Sequence, residues 1–518
     1  MRGVYRESKK EAYDVVVIGA GIGGLSVAAL LAKAGKSVLL VERHDRPGGY
    51  AHGFRRRGYH FDSGVHLVSG CGPDGYRNGS AIHKISRAVG IDPQAVFLPI
   101  QEAYARAVFP EFEVRLQTGE EAFIDSLTEW FPKEKDGLFA LIRLCRMLAE
   151  ETMLAEEILE QGKSVSVSPT RVLANLFRYR RTTLAEALDE FLVDARMKSL
   201  CASLWPYLGL PPSKLSFLYW SSMMAGYTYE GSYYCRGSFQ VYANLLAAAV
   251  KGQGSEVLLN SSVRRICVEN GKACGIILEN GQVIRAGTVV SNIDAIQTAD
   301  LLIGRERLPA GYCEGLEKLT PSLSIFVDYV ATDLPLAGQI HAHESFFYES
   351  FDHETGYALT REGRPNWFSA TIPSLSDPSL APQGQHILLL TTLCPFQIGQ
   401  SWRQAKAGFQ RCLLENAERH FPGLNDHLLL VESGSPRTLE RYTLNNQGAA
   451  YGFAPTPDQV GPNRPSVRGV LPGLYHTGHW TRPGGGVAGV SFSALLAAQA
   501  ILDITRQEDF WKFFGIDV

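Results

Sequence analysis

The sequence predicts an α/β fold class, a Rossmann-like domain interleaved with an α+β domain. Three observations predict it: a β-branched run, a glycine-rich turn and an Ala/Leu-rich stretch near the start; short strand-like runs with Asn-Gly turns in the middle; and a second strand, glycine turn and apolar helix near the end.

The first pattern is "DVVVIGAGIGGLSVAALLAKAGKSVLLVERHDRPGGY", Asp14 to Tyr50. Val15 to Ile18 reads as a strand buried on both faces, and Leu25 to Ala34 as a helix. Glycines and lysines interrupt the apolar run, which excludes a membrane anchor, and no small-residue cleavage site marks a secretory leader, so the segment is expected to remain in the mature protein. Between strand and helix stands Gly19-x-Gly21-x-x-Gly24. Gly19 permits the sharp turn, Gly21 lets a pyrophosphate approach the backbone, and Gly24 lets helix and strand pack closely, leaving free N–H groups at the helix start. Gly35 ends the helix, Ser37 to Val41 forms the next strand, and Glu42 stands about twenty residues past Gly21, where an acid bonds a ribose hydroxyl.

Past the acid, "ERHDRPGGY" places Arg46 and the pair Gly48-Gly49, and "GYHFDSGVHL" follows. Here the chain resembles the FAD-dependent amine oxidase and phytoene desaturase superfamily, whose members carry Arg-x-Gly-Gly and then Phe-Asp-x-Gly. That resemblance implies an FAD-binding Rossmann-like domain of the GR2 type and adds Arg43, Ser63 and Gly64 to the cofactor-binding set. Physically, Gly48 and Gly49 permit a second close backbone approach, and Arg46 offers a bidentate phosphate contact.

Composition is compatible with such an enzyme. A length of 518 residues with 45% hydrophobic content supports a large core, and a net charge of −3 without long basic blocks argues against nucleic acid as a partner. The 9 cysteines lack CxxC pairs and the histidines lack ligand spacing, which implies reduced thiols in a cytoplasmic compartment, mostly as core filler, and no metal site.

In the middle of the chain, Gly137 to Gly162 has helical apolar spacing and reads as an ordinary packed helix. Leu204 to Gly237 crowds Trp205, Tyr207, Phe217, Tyr219, Trp220, Met223, Met224, Tyr227, Tyr229, Tyr233 and Tyr234 together, side chains suited either to a core or to an apolar tunnel. Ser255 to Asp294 reads as strands turning at Asn270-Gly271 and Asn280-Gly281. This stretch resembles the superfamily segment in which a valine backbone contacts adenine and a "VVSN" strand returns under the cofactor, implying roles for Val263 and Asn292. Where relatives carry Gly-Gly upstream, this chain has Gly237-Ser238. Leu308 to Gly434 alternates β-rich runs with a helix at Trp402 to Phe421, and its histidines, His341, His343 and His353, read as surface residues.

"GLYHTGHWTRPGGGVAGVSFSALLAAQAILD", Gly473 to Asp503, closes the pattern. In desaturase relatives this segment sets the start of the last helix against the flavin ring, which implies Gly478, His479, Gly486, Val487 and Ala488 as cofactor residues, with Gly485 beside them. Relatives carry an acid where His479 stands, so a different charge is expected at this position.

The resulting domain assignment is a discontinuous cofactor domain, 1–80, 235–300 and 465–518, and a substrate domain with a helical subdomain, 81–234 and 301–464. "GGYAHGF" and "FDSGVHL" are similar to retinol saturases and carotenoid isomerases. The implied function is an FAD-dependent oxidoreductase acting on carbon–carbon double bonds of a conjugated apolar polyene by desaturation, saturation or isomerisation. Two alternatives are a reductive polyene cyclase of tetramate macrolactam pathways and a flavin amine oxidase. His66 is the candidate catalytic residue, as proton donor or flavin partner. No second nucleotide fingerprint is present, so NAD(P)H is expected only as a transient reductant. Peripheral membrane contact is expected through the terminal "EDFWKFFGIDV" or the aromatic stretch.

Overall fold

The computed structural model describes residues 6–73, 80–101, 103–161 and 169–517. The β-branched run forms the strand Ala12–Ile18, and the Leu/Ala stretch forms the helix Ile22–Lys33, buried from Ile22 to Ala32. The strand lies at the centre of a seven-stranded sheet. Glu256–Leu258, Val38–Val41, Ala12–Ile18, Val283–Ser291 and Leu474–His476 run parallel through it. Lys272–Leu278 and Val263–Glu269 add an antiparallel edge. Asn270 and Gly271 turn that edge with left-handed φ values of +51° and +73°.

The register aligns Ile18 with Val41 and Ser291, so the parallel strands end together and open a crevice beyond their carboxyl ends. Helices Phe239–Gly252 and Val487–Leu502 pack on the first helix. Alanines and the buried Ser491 and Ser493 thin the last helix enough for close packing. Ser238 takes φ +94°, a conformation that disfavours any residue with a Cβ, so the backbone bends there without a glycine.

A second seven-stranded sheet, mostly antiparallel, has the order Leu428–Gly434, Ser324–Thr332, His386–Cys394, Trp367–Thr371, Ala342–Tyr348, Ala103–Val108, Glu113–Gln117. The helix read over 137–162 spans Lys135–Gln161; position 162 lies outside the described residues. Its buried stripe, Leu138, Leu141, Ile142, Cys145 and Leu148, packs with helix Phe217–Tyr229. The terminal segment turns inward. Phe510 and Trp511 are 0% and 1% exposed, leaving Phe513 outside, so these aromatics are core rather than a membrane-facing surface.

Alternation along Ser324–Thr332 sends Ile325 and Val327 toward a central cavity, and Phe326, Asp328 and Val330 toward helix Trp402–His420. Asp328 is fully buried, and its carboxyl oxygens find no close hydrogen-bond partner beyond the Ser433 hydroxyl on the paired strand, which favours the ionised form. Burial pushes its pKa up to about 7. A carboxyl whose folded pKa exceeds its unfolded one favours folding least when ionised, so stability falls as pH climbs from about 4 toward 7. Asp328→Asn should melt above the parent at pH 8, by at most about 4 kcal/mol, with the gap shrinking at pH 4; thermal melts at both pH values check this.

Candidate active site

A cavity of about 920 Å³ starts at the carboxyl ends of the parallel strands and continues between the second sheet and the helices that face it. Its volume lies at the upper end of the range for small-molecule sites. Around it the fold gathers Gly19, Gly21, Glu42, Arg43, Arg46, Gly48, Gly49, Ser63, Gly64, His66, Val263, Asn292, Gly478, His479, Gly486, Val487 and Ala488. Gly24 lies behind the turn instead of on the cavity wall. A Cβ there would run into the Gly19 carbonyl and the Asn292 side chain, so its lack of a side chain serves helix–strand packing.

At the strand end of the cavity, the N-terminus of helix Ile22–Lys33 faces the loop Gly48–Gly49. Gly48 N–H donates to the Ala20 carbonyl at 2.8 Å, and a Cβ on Gly49 would lie 3.1 Å from Gly21 Cα. Glu42 is held by backbone: its two oxygens accept from Ala20 N–H and His44 N–H, both at 2.8 Å. Arg46 donates to Asp45 at 2.9 Å and to the Gly53 carbonyl at 3.0 Å, so its guanidinium is already engaged at the rim. Ser261 N–H donates to the Glu42 carbonyl at 2.9 Å, which brings the Val263 strand alongside. Bare backbone and free N–H groups at a helix start, beside an oriented carboxylate, form a donor set that fits a dinucleotide.

The other helix terminus on the cavity is Gly486, which starts Val487–Leu502. Gly485 N–H donates to the Tyr219 hydroxyl at 2.6 Å, fixing the preceding turn. The buried Arg464 donates to the carbonyls of Phe453 at 2.6 Å and His479 at 3.2 Å, clamping both cavity-lining segments. His479 packs against the Tyr50 ring at 5.9 Å, and burial lowers its pKa to about 3. The position of the relatives' acid is therefore neutral here. His52 was not singled out from sequence. Its Nδ1 lies 2.7 Å from the Gly49 carbonyl and 3.0 Å from Ser63 Oγ, so it braces the glycine loop.

Toward the second sheet the wall becomes apolar. Tyr219, Met223 and Tyr227, four residues apart on helix Phe217–Tyr229, face the cavity, whereas Phe217, Trp220 and Met224 face the core with Trp205. Leu176, Phe177, Phe346, Leu389 and Leu393 complete this half. One ionic pair interrupts it: His66 Nε2 lies 3.1 Å from Glu344 Oε2, and the same oxygen accepts the Tyr207 hydroxyl. Glu344 was invisible to sequence reading because it sits in a strand buried on both faces. His343 and His353, read as surface residues, are 3% and 5% exposed, since the strand and helix bearing them pack against the helical subdomain. The acid of the Phe-Asp-x-Gly motif, Asp62, accepts from Phe239 N–H at 2.9 Å and from the Tyr234 hydroxyl, joining the loop to helix Phe239–Gly252.

A doubly wound sheet whose nucleotide crevice opens into an apolar chamber defines a flavin-dependent enzyme of the oxidoreductase or isomerase type. The chain belongs to the flavin containing amine oxidoreductase family, which it matches over residues 22–502. It is 29% identical over 513 residues to the chloroplastic prolycopene isomerase of Daucus carota, covering 94% of this chain and 80% of that protein. It is 27% identical over 543 residues to the all-trans-retinol 13,14-reductase of Macaca fascicularis, covering 95% and 86%. Among solved structures, an oxidoreductase from Methanosarcina mazei matches with a TM-score of 0.64 at 20% identity, covering 93% of this chain and 98% of that one. Putrescine oxidase bound to putrescine matches at 0.63 and 15% identity, covering 95% and 99%; both likenesses establish the fold alone.

Gly21→Ala tests the cradle. Its Cβ would lie 2.9 Å from the Asn292 amide nitrogen, a side-chain neighbour able to shift, so the chain should still fold. The purified variant should carry well under half the parent's flavin per chain, read from the ratio of visible to protein absorbance.

Proposed function

We propose that this chain is an FAD-dependent enzyme acting on the carbon–carbon double bonds of a conjugated, apolar polyene, by isomerisation or saturation. The observation that carries this reading is one uninterrupted cavity, polar and backbone-lined at the glycine turns and apolar at the far end. Relatives named for prolycopene and all-trans-retinol support the same substrate class.

In this reading the first helix start and Gly48–Gly49 receive the pyrophosphate, Glu42 a ribose hydroxyl, and the Val263 backbone the adenine. Asn292, Gly478 and His479 flank the ribityl chain, and Gly486, Val487 and Ala488 meet the ring. Arg43, Arg46, Ser63 and Gly64 close the rim around it. Bound FAD supplies hydride or electron exchange. The protein's own task is orientation: Tyr219, Met223 and Tyr227 offer flat and flexible surfaces along which an extended conjugated chain can lie, and the apolar wall excludes water. NAD(P)H, as a reductant, would enter transiently through the substrate cleft.

Peripheral membrane contact belongs to this reading, since such a substrate dissolves in lipid. Leu159 lines the cavity and is 42% exposed, Leu154 and Val172 are each 37% exposed, and Arg180 and Arg181 also line the cavity. Among the described residues no single helix is long and apolar enough to cross a membrane. Flotation should carry the chain with anionic liposomes, and Leu159→Glu should leave it in the pellet fraction; a parent that never floats removes the contact from this reading.

The function is tested by incubating the FAD-loaded protein with prolycopene and all-trans-retinol under anaerobic conditions. A shorter-wavelength product means saturation, and a retained chromophore with altered fine structure means isomerisation. Neither polyene changing, at full flavin occupancy, counts against the substrate class. Rapid saturable bleaching of the flavin by NADPH alone would instead reveal a dedicated nicotinamide site and overturn the transient-entry reading.

A further inference from the structure

Strand Ala342–Tyr348 is buried along its whole length, and an apolar residue at position 344 would satisfy it more simply than a carboxylate. Glu344 is 1% exposed, yet it lines the cavity and holds His66 through Nε2. Tyr207 donates its hydroxyl to the same carboxylate oxygen. His66 is also braced through its backbone: His343 Nε2–H donates to the His66 carbonyl at 2.7 Å, and His343 Nδ1 lies 2.9 Å from Ser376 Oγ. Burial lowers the His343 pKa to about 4, so this brace is neutral.

A buried ion pair is weak evidence for stability, because well-packed apolar residues of similar volume often do as well. A role at the cavity is the better account of this one. The titratable groups facing His66 are Glu344, Tyr207 beside it, Tyr227 from helix Phe217–Tyr229, Asp62 from strand Tyr59–Asp62, and the neutral His343. Burial opposes the imidazolium, but the charge and hydrogen bond of Glu344, with Asp62 behind, outweigh it and hold the His66 pKa above its ordinary value. Nε2 is engaged by Glu344, and His66 lines the cavity.

We propose that His66 is the proton donor of a double-bond saturation and that Glu344 is the positioning residue that keeps it protonated and aimed. The proposal rests on the polyene reading above and narrows it to saturation. In the step, the hydride that forms a C–H bond at one carbon would be supplied by bound FAD after its two-electron reduction by a nicotinamide or by dithionite. The π pair forms the second C–H bond with a proton of His66 at the neighbouring carbon, and neutral His66 is reprotonated from water. A group with a raised pKa keeps its proton below that value and loses it as pH rises through it, so turnover should fall on the alkaline side.

The experiment uses the FAD-loaded full chain with dithionite and all-trans-retinol as probe, and ¹³C-histidine NMR on the same proteins. The expected product is heavier by two hydrogens. Glu344→Gln should lower turnover about tenfold at pH 8 and far less at pH 5.5, because removing the carboxylate charge moves the alkaline limb to lower pH. The His66 resonance, identified by its loss in His66→Gln, should titrate above 6.5 in the parent and below it in Glu344→Gln. Glu344→Asp, which keeps the charge, should restore part of the shift and serves if the glutamine variant fails to fold. A product of unchanged mass overturns the proposal while leaving the polyene reading intact. Unaltered retinol counts against the polyene reading, and the NMR arm then decides the pair: a His66 titration indifferent to Glu344→Gln overturns it.

Discussion

The site depends on one close meeting, in which the Asn292 amide is wedged among bare turns. Asn292 leaves strand Val283–Ser291 with its N–H on the Ile18 carbonyl at 2.9 Å and its side chain toward the Gly19 carbonyl at 3.3 Å. Its amide fills the room that a Cβ at Gly21, Gly23 or Gly478 would need, each within 3 Å of it. Glycine at these positions therefore leaves room for a protein side chain as well as for a ligand. From there the tie spreads outward. Thr477 N–H bonds the Ser291 carbonyl at 3.0 Å, and Gly478 N–H bonds Ser493 Oγ at 3.0 Å, anchoring the last helix to the same knot. Segments hundreds of residues apart in sequence thus present two helix N-termini to one crevice.

The two halves of the cavity handle charge differently for that reason. At the glycine end, favourable potential comes from backbone N–H groups fixed by secondary structure, which need no mobile side chain and suit an anionic ligand. At the apolar end, backbone is consumed by the sheet, and buried charge stands in matched pairs, His66–Glu344 and Glu156–Arg482. Two histidines on the wall are driven neutral by burial, His52 to about 4 and His479 to about 3.

Local chemistry made the cofactor half legible. The strand, turn, helix and acid at Asp14–Glu42 follow from short-range rules, as does the hairpin at Asn270–Gly271, whose left-handed residues the sequence names outright. The substrate half was not legible, because its decisive contacts are long-range. His66 and Glu344 are 278 positions apart, and no periodicity links them. Helix Phe217–Tyr229 is apolar all round, so the sequence could not sort Tyr219, Met223 and Tyr227 toward the cavity from Phe217, Trp220 and Met224 toward the core. His343 and His353 misread as surface for the same reason: a histidine's polarity outweighs, in sequence, a burial that only the packed sheet reveals.

The fold is shared with amine-oxidising enzymes, and a fold does not choose a substrate. The wall chemistry does. An amine arrives as a cation and, in an apolar chamber, needs a carboxylate free to pair with it. The buried carboxylates on this wall already have partners: Glu344 holds His66 at 3.1 Å, and Glu156 faces Arg482 at 3.6 Å. A cation entering here would have to displace a bonded partner and leave that partner's charge buried and uncompensated, a loss of about 3–5 kcal/mol on the usual scale for broken buried pairs. A neutral, extended, polarisable chain meets no such penalty and gains from every apolar contact along Tyr219, Met223, Tyr227, Leu389 and Leu393.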